Sequence, residues 1–272
     1  MLCPRCDRKT FYEYFEIVDG KLKFRGFRCI QCRFDRPAKV GVVIPTYNEE
    51  ENIEPIIRKL EEMAVVDTVF VVDDSNDRTT EILLRLKQEF PNIVVLKREE
   101  KLGVGSAIKS GLMLAMAGGM DYVVTMDCDF SHSPEDLPEL VYHAVGNGID
   151  LVLGSRYVEH GKIIGWSTYR RIVSFLGNAL ARRLLQLEVH DCTTGFRVYR
   201  TITTLSKLFG SGLVHSGGYE IQVETVHLAR KFYLELSEFP ITFTERRTGK
   251  SKLGKKEIVR FFKYVIKETF HK

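Results

Sequence analysis

Asp127 and Asp129 stand two residues apart, directly after the apolar run 122–126. Side chains at i and i+2 of a strand point to the same side, so these two carboxylates can converge on one divalent cation at a strand end. Carboxylates acting together with substrate phosphates are the usual protein ligands of Mg²⁺ or Mn²⁺. Taken alone, Asp127-Cys128-Asp129 reads more readily as a polar turn after a buried strand. The surrounding elements decide between the two.

Those elements alternate in type. Residues 39–45 read as a strand, 50–63 as a helix opened by acidic residues, 67–73 as a strand and 77–89 as a helix. Residues 93–97 form the next strand, 105–117 a helix behind a glycine-containing loop, and 121–126 the strand that ends in the aspartate pair. Runs such as Val69-Phe70-Val71-Val72 have no polar face, as strands buried on both sides require. The pattern predicts an α/β fold with a mostly parallel sheet, whose ligands sit at the carboxyl ends of the strands. Three of those ends are polar: Pro45-Thr46-Tyr47-Asn48-Glu49, Asp73-Asp74-Ser75-Asn76-Asp77 and Asp127-Cys128-Asp129. Side by side they frame a cleft for a sugar nucleotide, with Tyr47 placed to pack on a base and the carboxylates to meet base, ribose and metal. A lone strand-end aspartate is often a helix cap, a role that suits Asp77.

Four of the six cysteines form Cys3-Pro4-Arg5-Cys6 and Cys29-Ile30-Gln31-Cys32. Paired Cys-x-x-Cys knuckles at this separation suit a structural Zn²⁺, with a hairpin between them, and compete with a reading as free or disulfide-bonded thiols. A segment this short needs the metal to fold, and four thiolates leave no open coordination position for catalysis. The chain is therefore divided into a zinc ribbon over 1–36, an α/β domain over 37–254 and a basic C-terminal helix over 255–272.

With 44% hydrophobic and 28% charged residues the chain reads as globular, and no apolar run or signal-peptide layout points to membrane insertion or export, so a cytoplasmic location is expected. Its net charge of +4 is uneven, because residues 1–36 carry +4 and 245–272 carry +7, which leaves −7 for the middle. Basic ends around an acidic body suit anionic surfaces or ligands, or simply solvated lysine-rich faces.

Six ordered segments carry a family resemblance: Pro45 to Ile53 (Pro45-Thr46-Tyr47-Asn48-Glu49-Glu50-Glu51-Asn52-Ile53), Val71-Val72-Asp73-Asp74, Lys101-Leu102-Gly103-Val104-Gly105, Met126-Asp127-Cys128-Asp129, Gly154-Ser155-Arg156-Tyr157 and Thr194-Gly195-Phe196-Arg197. From about Lys39 to Gly254 the chain resembles the family 2 inverting glycosyltransferases, and among them those acting on dolichyl phosphate. The resemblance implies a GT-A nucleotide-sugar-binding fold, Mg²⁺ or Mn²⁺, a GDP-mannose donor and a polyprenyl or dolichyl phosphate acceptor. It assigns Pro45, Tyr47, Glu49, Asp73, Asp74, Lys101, Asp127, Arg246 and Lys252 to the donor, and Asp127 and Asp129 to the metal. Asp129, Arg156, Arg170 and Ser174 become the catalytic set, the last three facing the acceptor phosphate. Many members place a Gln where this chain has Ser131, so Ser131 or a water is expected as the third ligand.

An inverting transferase acting on a hydroxyl needs a general base, whereas a phosphate monoester, with a second pKa of about 6, is already largely anionic at neutral pH. What such a reaction needs is cations to bring two anions together. Arg156, Arg170, Arg171, Arg197 and Arg246 are candidates, each competing with a surface salt bridge. The segment 165–187 reads as a basic amphipathic helix suited to a membrane interface or to core packing, and 255–272 repeats the pattern, so peripheral membrane association is expected. A protein partner for the ribbon fits its basic charge. Other readings are a UDP-sugar donor carrying glucose or an N-acetylhexosamine, a nucleotidyltransferase, or a ribbon-based binding module. Nucleic acid is not expected, because acidic strand ends repel phosphates in the absence of a metal.

Overall fold

The computed structural model describes residues 6, 11–18, 21–32, 35–246 and 254–270. Cys3 and Lys252, both assigned roles above, lie outside the described residues. An antiparallel hairpin of β1 (Phe11–Val18) and β2 (Lys21–Cys29) comes first, with β3 (Asp35–Arg36) added to the other edge of β2. The alternating units follow: β4 (Val40–Thr46), α1 (Ile53–Glu61), β5 (Thr68–Asp73), α2 (Thr79–Glu89), β6 (Ile93–Lys97), α3 (Val104–Ala117), β7 (Tyr122–Thr125), α4 (Leu137–Asn147) and β8 (Leu151–Ser155). The rest of the chain forms β9 (Lys162–Ile164), α5 (Thr168–Leu185), β10 (Arg197–Arg200), α6 (Ser206–Gly210), α7 (Ile221–Lys231), β11 (Leu236–Pro240), β12 (Thr242–Thr244) and α8 (Lys255–Phe270).

Seven strands make the main sheet, in the order β11-β8-β10-β7-β4-β5-β6. Alternation along each strand splits the core in two, as the two-residue period requires. Val42, Ile44, Val69, Val71 and Val124 face α1, α2 and α4, whereas Val43, Phe70 and Val123 face α3, α5 and α7. Helices therefore cover both faces of the sheet, and the expected α/β architecture holds.

Two features depart from a simple series of parallel units. Strand β10 runs antiparallel to both β7 and β8, with Arg197 opposite Thr125 and Leu153. Its entry loop, 191–196, therefore lies at the same sheet end as Asp127. The ribbon shares the body's core: Phe27 and Cys29 are buried in one cluster with Leu137, Leu140 and Val141 of α4. The final helix docks as well, through buried Val265, a Tyr264–His227 hydrogen bond at 3.0 Å and a Lys231–Glu268 ion pair at 3.5 Å.

Candidate active site

The carboxyl ends of β7, β4 and β5 lie side by side and open into a cleft of about 140 Å³. Pro45, Tyr47, Glu49, Asp74, Lys101, Asp127, Asp129 and Arg246 line it. The loops are tied across the strands: Ser75 Oγ accepts the Asn48 N–H at 2.8 Å, and Thr79 Oγ1 accepts the Glu49 N–H at 2.9 Å. Lys101 Nζ lies 3.6 Å from the centre of the Tyr47 ring, a cation–π contact. Gly105 allows α3 to abut the loop before α7, because a Cβ there would lie 2.5 Å from the Gly218 carbonyl oxygen.

Two adjacent aspartates on β5 and its end have different tasks. Asp73, expected to bind the donor, is fully buried here and is not among the residues that line the cleft. Its carboxylate accepts from Thr46 Oγ1 at 3.1 Å, the Ser75 N–H at 3.0 Å and Thr80 Oγ1 at 2.6 Å, with Lys97 at 3.5 Å. Burial pushes its pKa up, but these bonds outweigh it and hold the group below the usual carboxylate range. Asp74 lines the cleft while paired with Arg98 through two bonds of 2.6 Å, and it also accepts the Leu102 N–H at 3.2 Å. It therefore shapes the loop that carries Lys101.

The aspartate pair sits on a strained turn. Phe130 adopts φ 58°, a left-handed conformation that bulky residues avoid. The turn brings the Ser131 N–H to Asp129 Oδ1 at 3.0 Å. Buried His132, which the sequence reading passed over, accepts the Asp127 N–H on Nδ1 at 3.2 Å and stacks on Phe196. Burial lowers its pKa to about 4, so the ring is neutral near pH 7. Arg246 donates to Asp129 Oδ2 at 2.8 Å, so a guanidinium stands at this carboxylate. Two carboxylates, one holding a positive group and the other opening onto the same cleft, fit a divalent ion that bridges to substrate phosphates.

A second chamber, of about 480 Å³, adjoins the cleft and shares Asp127, Asp129, Tyr219 and Arg246 with it. Arg156, Arg170 and Ser174 all line it. Arg156 is buried and gripped by Asp191, with Nε and Nη2 each 2.7 Å from a carboxylate oxygen, and Nη2 also reaches Thr193 at 2.9 Å. Its Nη1 has no hydrogen-bond partner among the described residues. Burial pushes the Asp191 carboxyl up, but the Arg156 charge and hydrogen bonds outweigh it and keep the pair ionised. Arg170 pairs with Glu245 at 2.6 Å and lies over the Trp166 ring, and Ser174 accepts from the Tyr157 hydroxyl at 2.8 Å. Asn178, buried on α5, donates to Thr193 and accepts from the Cys192 N–H, fixing the helix to the 191–194 loop.

Two of the arginine candidates do other work. Arg197 is fully buried and donates to the carbonyls of Cys192, Thr194 and Gln222. Arg171 donates to the carbonyls of Ile163 and Trp166. Neither lines a chamber. The helix α8, set apart in the sequence reading, supplies Glu257 and Arg260 to the cleft and Ile258, Phe261 and Phe262 to the second chamber. Among the described residues no helix is long and apolar enough to cross a membrane. In the ribbon, the sulfur atoms of Cys6, Cys29 and Cys32 lie within 4.8 Å of one another, so three of the four predicted ligands converge.

A mixed sheet covered by helices on both faces, with acidic loops at its carboxyl ends, is the architecture of the GT-A fold. The family model for glycosyl transferase family 2 matches residues 41–202, and the chain belongs to that family. It is 37% identical over 217 residues to the undecaprenyl-phosphate mannosyltransferase of Micrococcus luteus, covering 79% of this chain and 88% of that protein. It is 39% identical over 215 residues to the polyprenol monophosphomannose synthase of Mycolicibacterium smegmatis, covering 78% and 80%. Among solved structures, glucosyl-3-phosphoglycerate synthase from Mycobacterium tuberculosis, in complex with Mn²⁺, UDP and glucosyl-3-phosphoglycerate, shares the fold with a TM-score of 0.58. The identity is 23%, and the match covers 84% of this chain and 77% of that one.

Proposed function

We propose that this chain transfers mannose from GDP-mannose, with inversion, to the phosphate of a polyprenyl lipid at the cytoplasmic face of a membrane. The observation that carries the reading is the meeting of two unlike chambers at Asp127 and Asp129: a polar cleft, and a larger cavity with arginines beside aromatic and aliphatic walls. A nucleotide sugar suits the first, and an anion attached to a hydrocarbon suits the second. Both relatives named above are called polyprenyl-phosphate mannose transferases or synthases, which supports the same acceptor and sugar here.

In this reading Tyr47, Glu49 and Lys101 hold the nucleoside, and Asp127 and Asp129 hold Mg²⁺ or Mn²⁺. The ion, when bound, neutralises the departing diphosphate. Arg156, through Nη1, together with Arg170 and Ser174 receives the acceptor phosphate and aims one of its oxygens at the anomeric carbon. A bond forms from that oxygen as the bond to the diphosphate breaks, and the electron pair leaves with the nucleotide. No proton has to be removed, consistent with the engagement of Glu245 with Arg170 and of His132 with the Asp127 backbone. Cys3, Cys6, Cys29 and Cys32 together hold a structural Zn²⁺.

Radiolabelled GDP-mannose, UDP-glucose and UDP-N-acetylglucosamine, each offered with a polyprenyl phosphate and with or without EDTA, test the proposal. Transfer from GDP-mannose alone, lost in EDTA, is expected. Transfer from a UDP-sugar but not from GDP-mannose would overturn the donor, and full turnover in excess chelator would overturn the metal.

A further inference from the structure

The second chamber is larger than a phosphate needs, and its lining mixes charged with apolar side chains. On α5, Arg170, Val173, Ser174 and Gly177 form one stripe with the three- and four-residue spacing of a helix face, and all line the chamber. Opposite them α8 presents Ile258, Phe261 and Phe262. The trough thus joins an apolar stretch between α5 and α8 to a polar region where Arg156, Arg170 and Ser174 stand with the carboxylates of Asp127, Asp129, Glu245 and Glu257.

Gly177 is the unexpected residue. A glycine inside a helix costs roughly 0.5–1 kcal/mol relative to alanine, and helices keep one where a neighbour comes too close for a side chain. At Gly177 no neighbour does: the nearest heavy atom to an added Cβ is Phe261 Cε1, at 3.9 Å, an ordinary contact. At Gly105 and Gly111, by contrast, a Cβ would collide with the protein itself. The space beside Gly177 is therefore not required by the packing of this chain, and it opens into the trough.

We infer that the trough between α5 and α8 takes the first isoprene units of the acceptor lipid, and that Gly177 keeps it open. This inference rests on the acceptor assignment proposed above. The lining favours this occupant, because phosphate-binding arginines and an apolar stretch share one cavity, as a molecule with an anionic head and an apolar tail requires.

Chain-length preference reads the trough directly, as the ratio of kcat/KM for a long polyprenyl phosphate to that for dimethylallyl phosphate, which carries one isoprene unit. Gly177→Leu fills the space, and the ratio should fall at least about tenfold, the equivalent of losing burial of roughly two methylene groups. Ile258→Trp narrows the trough from the opposite wall at a half-exposed position; it should shift the ratio the same way and decides the matter if Gly177→Leu does not fold. A wild-type enzyme that uses neither acceptor overturns the acceptor assignment and the trough with it. A wild-type enzyme that uses the long acceptor, with a ratio unchanged within twofold in the folded variants, overturns the trough alone.

Discussion

Replacing Arg246 by glutamine should change two affinities in opposite directions. In the structure its guanidinium donates to Asp129 Oδ2 at 2.8 Å, and both side chains are mostly buried. A cation arriving at Asp129 has to displace that bond. A charge-assisted hydrogen bond contributes roughly 1.5–3 kcal/mol, and each 1.4 kcal/mol is a factor of ten, so removing the competitor should tighten Mn²⁺ binding to the nucleotide-free protein by about tenfold or more. Once the ion is in place, the proposed partner of Arg246 is the donor diphosphate. The variant should therefore bind GDP in the presence of Mn²⁺ more weakly, by a similar factor. Free Mn²⁺ measured by electron paramagnetic resonance gives the first affinity, and calorimetric titration with GDP gives the second. Mn²⁺ affinity that is unchanged or weaker in Arg246→Gln would refute the displacement, and both affinities moving together would refute the exchange of partners.

Asp191→Asn should leave the buried Arg156 without its counter-ion, at about 3–5 kcal/mol of stability, and lower the thermal midpoint by roughly 10 °C. The same variant should raise KM for the acceptor while GDP affinity stays within twofold; the reverse pattern would remove Arg156 from the acceptor site. Zinc should be found at one ion per chain by native mass spectrometry, and stripping it should lower the single melting transition of the whole protein, because Phe27 and Cys29 share the body's core; a separate ribbon transition with an unchanged main melt would contradict the shared core. Burial at the α7–α8 contact lowers the His227 pKa to about 4, so the unfolded chain binds the proton more readily and stability should fall as pH drops from 6.5 towards 4. His227→Gln should flatten that slope, as read from urea midpoints across the range, and an unaltered slope would rule out this group as a contributor.

The sequence made visible what depends on short-range pattern. A buried strand followed by a polar turn is a local signal, and it located Pro45, Tyr47, Glu49, Asp127 and Asp129 at one cleft. Asp73 and Asp74 mark the limit of that signal: they are neighbours, and a one-residue change of strand phase exchanges which of them faces inward. Arginines were harder still, since Arg197 and Arg171 look no different from Arg156 until the carbonyls around them are placed. Asp191 lies 35 residues from the arginine it holds, and only the antiparallel entry of β10 brings it there. His132 did leave a trace, three residues after Asp129 in the same turn, but a histidine there acquires meaning only when its ring is seen against the Asp127 amide. The closure of α8 over both chambers had no sequence signal beyond an apolar stripe, and that stripe suits a membrane as well as a neighbouring helix.

That closure bears on how the enzyme comes into being on the ribosome. Strands β4 to β8, the aspartate turn and the Arg156–Asp191 pair can all assemble while residues beyond 250 are still inside the exit tunnel, yet neither chamber then has its far wall. A nascent chain at that stage has arginines and a hydrocarbon trough open to solvent and no means of sequestering either substrate. A ribosome stalled shortly before α8 emerges should therefore display a folded transferase whose two chambers lack the wall that α8 supplies.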